Sequence, residues 1–197
     1  MSFVHPTVEV EARVEIGNDV KVWQLSHIRE DASIGDNTTL GRCVYVGPGV
    51  KIGRNVKIQN LAMIYEPAEI SDGVFIGPGV VLTNDTYPRA ITPEGDIKTG
   101  ADWEAVGVSI GHGASIGARA VCVAPVKIGM WALVGAGAVV TSDVKDFAQV
   151  QGCPAKQVAW VGKDGKKLQS LGNSIWECIS TGTKFLESKG ILKEITA

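Results

Sequence analysis

A six-residue alternation of apolar and polar positions runs along most of this chain. Every sixth residue across Val4–Leu82 is Val, Ile or Leu, and four places after each comes a small or β-branched residue, across Val8–Thr86. A second run repeats the spacing across Ile110–Val140, with its small companions across Ala114–Val144. Because an α-helix has about 3.6 residues per turn, a period of six does not predict helix.

The alternation predicts short parallel strands wound into a triangular coil. Residues two apart in a strand point to the same side, so the small residue and the aliphatic residue that follows it both face inward. Gly, Asn, Asp and Pro in the intervening positions favour turns. Three hexads close a triangle of eighteen residues, and the twenty hexads present predict nearly seven coils. Stacked coils of this number form a prism of roughly 30 Å.

The repeat is interrupted once, between Leu82 and Ile110. These residues are 28 positions apart, which is four hexads plus four, so the second run is out of phase with the first. Continuing the first phase would bury Pro88 and Glu94. We therefore predict that residues 83–105 leave the prism as one loop, and a long loop inside a compact domain is usually functional. The alternative is a tolerated surface insertion.

The repeat resembles the left-handed parallel β-helix of the hexapeptide-repeat acyltransferases. The resemblance covers residues 4–158, where VQGCPAKQV at 150–158 is similar to the GxPAK exit of these enzymes. The left hand follows from the resemblance, because connections between parallel strands are otherwise right-handed. We expect an all-β chain: a β-helix domain at 1–158 and a β appendage at 159–197 that caps the prism. Asp164-Gly165 is a hairpin turn signal in this appendage.

Three stretches are similar to the nucleotide-sugar 3-N-acetyltransferases: VWQLSHI (22–28), VKIQNLAMIYE (56–66) and FIGPGVVLTNDTYPRA (75–90). The resemblance implies a homotrimer, with sites between subunits, that transfers the acetyl group of acetyl-CoA to the 3-amino group of a nucleotide-linked sugar. The favoured substrate is a UDP-linked 2-acetamido-3-amino-2,3-dideoxyglucuronic acid, for surface polysaccharide (O-antigen) synthesis. A dTDP-3-amino-3,6-dideoxyhexose is the alternative.

The candidate site lies at the base of the predicted loop. The resemblance implies that Asn84, in the TN motif, orients the sugar amine, although Asn is also an ordinary turn residue. With eighteen residues per coil, Glu66 stacks directly below Asn84 and can support it, and Tyr65 lies below Thr83. Further candidates for contact with the sugar nucleotide are Gln59, Asn60, Tyr65, Arg89, Glu94 and His27, and candidates for contact with acetyl-CoA are Ala118, Gly135, Lys156 and Lys163.

The histidines bear on the type of acyl transfer. The chain has only His5, His27 and His112, and the predicted loop contains none. A hydroxyl needs a base to become a nucleophile, whereas a neutral amine already has its lone pair. The missing loop histidine favours N-acetylation, and the resemblance implies that the departing CoA sulfur takes the proton. His112 lies at a turn of the second run, within possible reach of the thioester.

Composition narrows the remaining classes of function. The net charge is −2 without a basic run, which argues against a nucleic-acid partner. No apolar run reaches the length of a membrane span and the start lacks a signal peptide, so we expect a cytoplasmic protein without membrane contact. The four cysteines are scattered, so no zinc site is predicted. A non-catalytic scaffold stays an alternative, and a three-histidine metalloenzyme is disfavoured by the spacing of His5 and His112.

Overall fold

The computed structural model describes residues 1–195 and folds most of them into a triangular prism of three parallel sheets. Face A consists of β1 (Phe3–Val4), β4 (Lys21–Val22), β7 (Thr39–Leu40), β10 (Lys57–Ile58), β13 (Phe75–Ile76), β16 (Ser115–Ile116) and β19 (Leu133–Val134), continued by β21 (Ala148–Gln151) and the antiparallel β22 (Lys156–Trp160). Face B consists of β2 (Glu9–Val10), β5 (His27–Ile28), β8 (Tyr45–Val46), β11 (Met63–Ile64), β14 (Val81–Leu82), β17 (Val121–Cys122) and β20 (Val139–Val140). Face C consists of β3 (Glu15–Ile16), β6 (Ser33–Ile34), β9 (Lys51–Ile52), β12 (Glu69–Ile70), β15 (Val108–Ile110) and β18 (Val126–Ile128).

The chain is a left-handed parallel β-helix, as predicted. Below the loop, paired residues in adjacent coils are eighteen positions apart, as in Lys57↔Phe75. Across the loop the spacing is forty, as in Phe75↔Ser115. The loop therefore inserts 22 residues into one coil and leaves the pairing above and below it unchanged.

The predicted core positions are buried from the second coil upward, from Val20 to Val144. The prediction is wrong at the first coil, where Val4 and Val10 are 38% and 43% exposed because no coil lies beneath them. Thr86, which continues the spacing, is exposed because the chain has left the prism after Leu82, in agreement with the loop predicted at 83–105. Three further predicted core residues of the first coil are only partly buried: Val8, Val14 and Ile16.

Side-chain oxygens tie successive coils together at the prism corners. Each oxygen accepts a hydrogen bond of 2.7–2.8 Å from a backbone N–H in the preceding coil. The residue that donates this N–H directly follows a turn glycine. A Cβ on that glycine would collide with the oxygen. The contact satisfies an N–H that would otherwise lack a partner inside the protein. We call these contacts turn rungs; their acceptors and donors are Asp36 with Asn18, Asn60 with Arg42, Asp72 with Arg54, and Asp146 with Met130.

Residues 83–107 form the extruded loop, close to the predicted bounds of 83–105. An isolated antiparallel bridge joins Ile91 to Ile97 and makes a narrow hairpin of the outer part. A 3₁₀-helix, η1 (Gly100–Asp102), then leads back toward face C. The loop thus has local structure of its own outside the prism.

The C-terminal appendage is an antiparallel sheet of β23 (Gln169–Gly172), β24 (Ile175–Glu177), β25 (Lys184–Ser188) and β26 (Ile191–Ile195). Phe185 packs on Phe147 with ring centroids 5.2 Å apart, so the sheet shares one core with the upper end of the prism. The indole N–H groups of Trp160 and Trp176 both donate to Glu187, at 3.2 and 2.8 Å. No helix within residues 1–195 has the length and hydrophobicity needed to cross a membrane.

Because the middle of the prism is closed and its lower end is open, shortening a core side chain should destabilise the two regions to different extents. Ile58 is fully buried in the fourth coil, so Ile58→Ala should lower the free energy of unfolding by about 2–5 kcal/mol. Val10→Ala in the open first coil should lower it by about 1 kcal/mol or less. Urea denaturation followed by circular dichroism measures both, and equal losses would contradict the packing described above.

Candidate active site

The turns that join face B to face C stack into one column, which we call corner BC; its members are Glu30, Pro48, Glu66, Asn84 and Ala124. Leu82 pairs with Ile64, and Asn84 and Glu66 each follow two residues later. They therefore occupy equivalent positions in adjacent coils, as the spacing predicts. The backbone pairing of the two coils extends to the residues just before them, since the Tyr65 N–H donates to the Leu82 carbonyl at 3.4 Å.

Asn84 lies at the point where the loop departs from the prism and returns to it. The Val106 N–H donates to the Asn84 carbonyl at 3.3 Å and closes the base of the loop. One residue earlier, the Thr83 hydroxyl accepts from the Ala124 N–H at 2.9 Å, which ties the departing chain to the coil above. These two contacts hold the backbone of Asn84 in place while its half-buried side chain stays at the surface of the corner.

A series of rings descends from this corner along face B. Tyr65 and Tyr45 are 5.2 Å apart between ring centroids, and Tyr45 and His27 are 5.8 Å apart at 75°. Burial raises the pKa of Tyr45, so its phenol stays protonated at neutral pH. The three rings offer a continuous aromatic surface, and such rings favour stacking with planar groups.

A charged cluster lies beside the lowest ring. His27 Nε2 is 2.6 Å from Glu11 Oε1, and Arg29 Nε is 2.7 Å from the same oxygen and 2.9 Å from Glu30 Oε2. Hydrogen bonding with Glu30, and then with Arg29 and His27, lowers the pKa of Glu11 to about 2. Glu11 in turn raises the pKa of Arg29 above its ordinary value. The charge of Arg29 is thus balanced by two carboxylates, and His27 is held by a carboxylate instead of lying free.

The other predicted substrate contacts are not gathered at Asn84 within one chain. Gln59 and Asn60 lie at the corner between faces A and B, and the Asn60 amide oxygen is already engaged as a turn rung. Arg89 and Glu94 are exposed on the loop, and Arg89 Nη1 donates to the Pro88 carbonyl at 3.0 Å. Within one chain these residues therefore do not form a single cluster around Asn84.

The predicted acetyl-CoA positions are also spread over the molecule. Ala118 lies at the corner between faces A and B, and Gly135 follows β19 on face A. Lys156 begins β22 with an exposed side chain, whereas Lys163 forms an ion pair with Glu194 at 2.5 Å. Ala118, Gly135 and Lys156 thus lie along face A and its corner, whereas Lys163 pairs with β26 of the appendage.

His112 lies at the corner between faces C and A, across the prism from corner BC. Its ring packs edge-on against Trp131 at 5.1 Å. Within a single chain His112 is therefore a packing partner of Trp131, remote from Asn84.

Sequence reasoning missed Tyr45 and Arg29 as members of this region. The signal was available, because Tyr45 is eighteen residues after His27 and pairs with it directly in adjacent coils. Two steps of eighteen residues down from Tyr65 lead to Arg29, and one step up from His27 leads to Tyr45. The spacing would therefore have found both.

The cavity beneath the extruded loop is small. It has a volume of about 180 Å³ and is lined by residues that include Asp85, Tyr87, Lys98 and Trp103. Sites for small-molecule ligands usually enclose about 300–1,000 Å³. The loop of a single chain therefore does not by itself enclose a ligand of nucleotide-sugar size.

Comparison with known proteins agrees with the fold and the repeat. The model described as "Bacterial transferase hexapeptide (six repeats)" matches residues 13–48 and 49–84, and "Hexapeptide repeat of succinyl-transferase" matches 32–65 and 107–142. A dTDP-3-amino-3,6-dideoxy-α-D-galactopyranose 3-N-acetyltransferase from Aneurinibacillus thermoaerophilus is 40% identical over 98% of this chain and 95% of its own length.

Solved structures agree on the fold alone. A mutant of AntD, an N-acyltransferase from Bacillus cereus in complex with dTDP-4-amino-4,6-dideoxyglucose and coenzyme A, is 20% identical, with a TM-score of 0.62 over 76% of this chain and 83% of that one. The acetyltransferase domain of PglB from Neisseria gonorrhoeae, in complex with acetyl coenzyme A, is 20% identical, with a TM-score of 0.50 over 80% and 57% of the two chains. The hexad repeat, the β-helix and the relative that aligns over nearly the whole chain show that this chain belongs to the hexapeptide-repeat acyltransferases.

Proposed function

We propose that this protein is an acetyl-CoA-dependent N-acetyltransferase that acetylates the 3-amino group of a nucleotide-linked sugar, with a dTDP-3-amino-3,6-dideoxyhexose as substrate. The observation that carries the proposal is Asn84, fixed at the base of the extruded loop, together with a full-length relative whose name describes this reaction. The protein is not a passive scaffold, because a scaffold has no use for a loop that interrupts one coil at a corner with amide, carboxylate and phenol groups.

The chemistry requires positioning more than proton transfer by a side chain. The amine lone pair forms the C–N bond to the thioester carbonyl carbon, the C–S bond breaks, and the proton from nitrogen leaves with the CoA sulfur. The products are an N-acetyl group and a free thiol. The role of the Asn84 amide oxygen is to accept a hydrogen bond from the amine and aim its lone pair. Orientation of this kind can remove a large part of a barrier.

The charge of the loop favours a neutral deoxyhexose over the uronic acid that the sequence resemblance puts first. A sugar carboxylate beside the loop would meet net negative charge, which is unfavourable for an anion. The name of the full-length relative also describes a dTDP-linked 3,6-dideoxy sugar. Residues 83–105 carry five acidic side chains, Asp85, Glu94, Asp96, Asp102 and Glu104, against two basic ones, Arg89 and Lys98.

The aromatic series on face B supports a place for the nucleotide. With the sugar amine at Asn84, the nucleotide would extend down face B over Tyr65, Tyr45 and His27. Nucleobases stack on aromatic side chains, a contact worth about 1–3 kcal/mol per base in single-stranded nucleic acid complexes. This placement uses His27 as part of a stacking surface, anchored by Glu11, and does not require it to act as a base.

A homotrimer with sites between copies accounts for the scattered candidate residues. Face B carries a row of apolar outward side chains, Met63, Val81, Val121 and Val139, whereas face C carries Glu15, Ser33, Lys51, Glu69, Ser109 and Lys127. The loop exposes Tyr87 and Ile97 at 80% and 79%. Apolar surface of this kind marks an interaction site, and cyclic assemblies are common among soluble oligomers. A neighbouring copy then brings acetyl-CoA against face B.

The first prediction from the proposed function concerns the substrate. With acetyl-CoA and a panel of nucleotide-linked amino sugars, dTDP-3-amino-3,6-dideoxyhexoses should release free thiol fastest, followed by the UDP-linked 3-amino uronic acid. Thiol release is measured with a chromogenic disulfide, and the acetylated product by mass spectrometry. Absence of turnover with every 3-amino sugar would contradict the proposed function and favour the scaffold.

The second prediction concerns Asn84. Asn84→Ala should lower kcat/KM about tenfold or more, because the amine loses an orienting contact. Asn18→Ala is the matched control, since Asn18 holds the same position of its hexad at another corner and should leave kcat/KM unchanged. The same loss in both variants would show that the effect is structural.

The third prediction concerns assembly. Wild-type protein should have the mass of a trimer by light scattering after gel filtration, and Met63→Glu on face B should shift it toward the monomer and abolish thiol release. The control Ser33→Glu introduces the same charge on face C and should leave the trimer intact. A fully active monomer would refute the placement of sites between copies.

A further inference from the structure

One corner position departs from the turn-rung pattern, at Gly47, Pro48 and Glu66. Glu66 Oε2 lies over Gly47 in the same position that the rung oxygens take over their glycines, so that a Cβ on Gly47 would collide with it. At each turn rung, the residue after the glycine donates its N–H to that oxygen. Here the residue is Pro48, which has no N–H to donate.

The mismatch leaves a buried oxygen without a partner. Glu66 Oε2 is the one carboxylate oxygen within residues 1–195 that is shielded from solvent and forms no hydrogen bond. Buried polar atoms in folded proteins are nearly always paired, so each exception calls for an explanation. A carboxylate in this state is stabilised when a hydrogen-bond donor or a positive charge reaches it.

The chain has a second Gly-Pro turn that avoids the mismatch. At Gly77-Pro78 the residue one coil later is Ala118, whose methyl group needs no donor. Proline in a turn of this prism is thus compatible with full hydrogen bonding. The acidic residue above proline occurs at corner BC, directly below Asn84.

We propose that Pro48 keeps the Glu66 carboxylate unpaired so that it can bind the reacting amino group of the substrate beside Asn84, as a catalytic residue. This inference rests on the proposed function and assigns the counter-charge that the reaction needs. Asp36, Asp72 and Asp146 are held down by their rungs, whereas Glu66, with one more methylene and no rung, is able to turn toward the amine.

The role follows from how charge develops during attack. The neutral amine carries no formal charge, but its nitrogen becomes positive as the C–N bond forms and the thioester carbonyl oxygen becomes negative. A carboxylate at the nitrogen stabilises this transition state more than the bound neutral amine, which is the condition for faster chemistry. Glu66 takes up no proton in this scheme; the proton leaves with the CoA sulfur as the C–S bond breaks.

Selection of amines over hydroxyls follows from the same geometry. An attacking amine keeps N–H groups that donate to both Asn84 and Glu66. A sugar hydroxyl at the same place has one O–H and can donate to only one of the two oxygens. The 3-hydroxy analogue therefore leaves one acceptor without a donor, which weakens its binding.

The test removes the charge and, separately, supplies the missing donor. Glu66→Gln should lower kcat about tenfold or more with little change in KM, the loss expected for a hydrogen bond to a charged group. Pro48→Ala gives residue 48 an N–H that can tie down Glu66, so kcat should fall by a comparable factor while Tm stays at or above that of wild type. A structural role alone would not lower the rate in a protein of unchanged or higher Tm.

Two control variants show whether a loss of activity is specific to Glu66 and Pro48. Asp36→Asn makes the same carboxylate-to-amide change at a turn rung of another corner and should leave kcat unchanged. Pro78→Ala controls for the loss of a turn proline where no acceptor lies above it. Wild-type turnover with an equally active Glu66→Gln variant would overturn the role of Glu66 and leave the proposed function standing. A wild-type protein inactive on every amino sugar would overturn both.

Discussion

Backbone pairing between successive coils is the constraint on which the rest of this structure depends. Each short strand donates to the strand one coil later, with an offset of eighteen residues. The offset differs only across the loop, where it is forty, and at the upper end, where Leu133 pairs with Gln149 at an offset of sixteen. Once that offset is fixed, residues at the same hexad position stack in columns along faces and corners. Core aliphatics, turn rungs, the ring series and the candidate site are all columns of this kind, so a contact in one coil is determined by the residue placed one coil away.

The extruded loop uses this constraint without breaking it. Because a turn at a corner carries no strand pairing of its own, 22 residues can be inserted there while the coils on either side keep their register. The insertion leaves Asn84 on a backbone held from two sides, by the Val106 N–H and by the Thr83–Ala124 contact. One corner of the prism thus presents the Asn84 amide on an anchored backbone, an unpaired carboxylate below it and a series of aromatic rings leading away.

Features that depend on residue spacing could be predicted from the sequence, whereas features that depend on the end of the prism and on side-chain contacts could not. The hexad pattern predicted the parallel coils, the loop and the Asn84–Glu66 stacking, because these depend only on spacing, whereas the left hand followed from the family resemblance. It failed at Val4 and Val10, since a periodic pattern does not reveal that the first coil has nothing beneath it. The ion pair between Lys163 and Glu194 in the appendage likewise lies outside what a spacing rule can show.

The sequence by itself determined the period, hence the parallel coils, their core and the corner at which the loop departs. Only the tertiary structure decided which side chains at the corners are paired, because that depends on side-chain length and on the donor offered one coil below. Asp36, Asn60 and Asp72 look like Glu66 in the sequence, each an acceptor one coil after a glycine turn. What distinguishes Glu66 is that its partner position is Pro48, which has no N–H, and that in the folded chain no other donor reaches its buried oxygen.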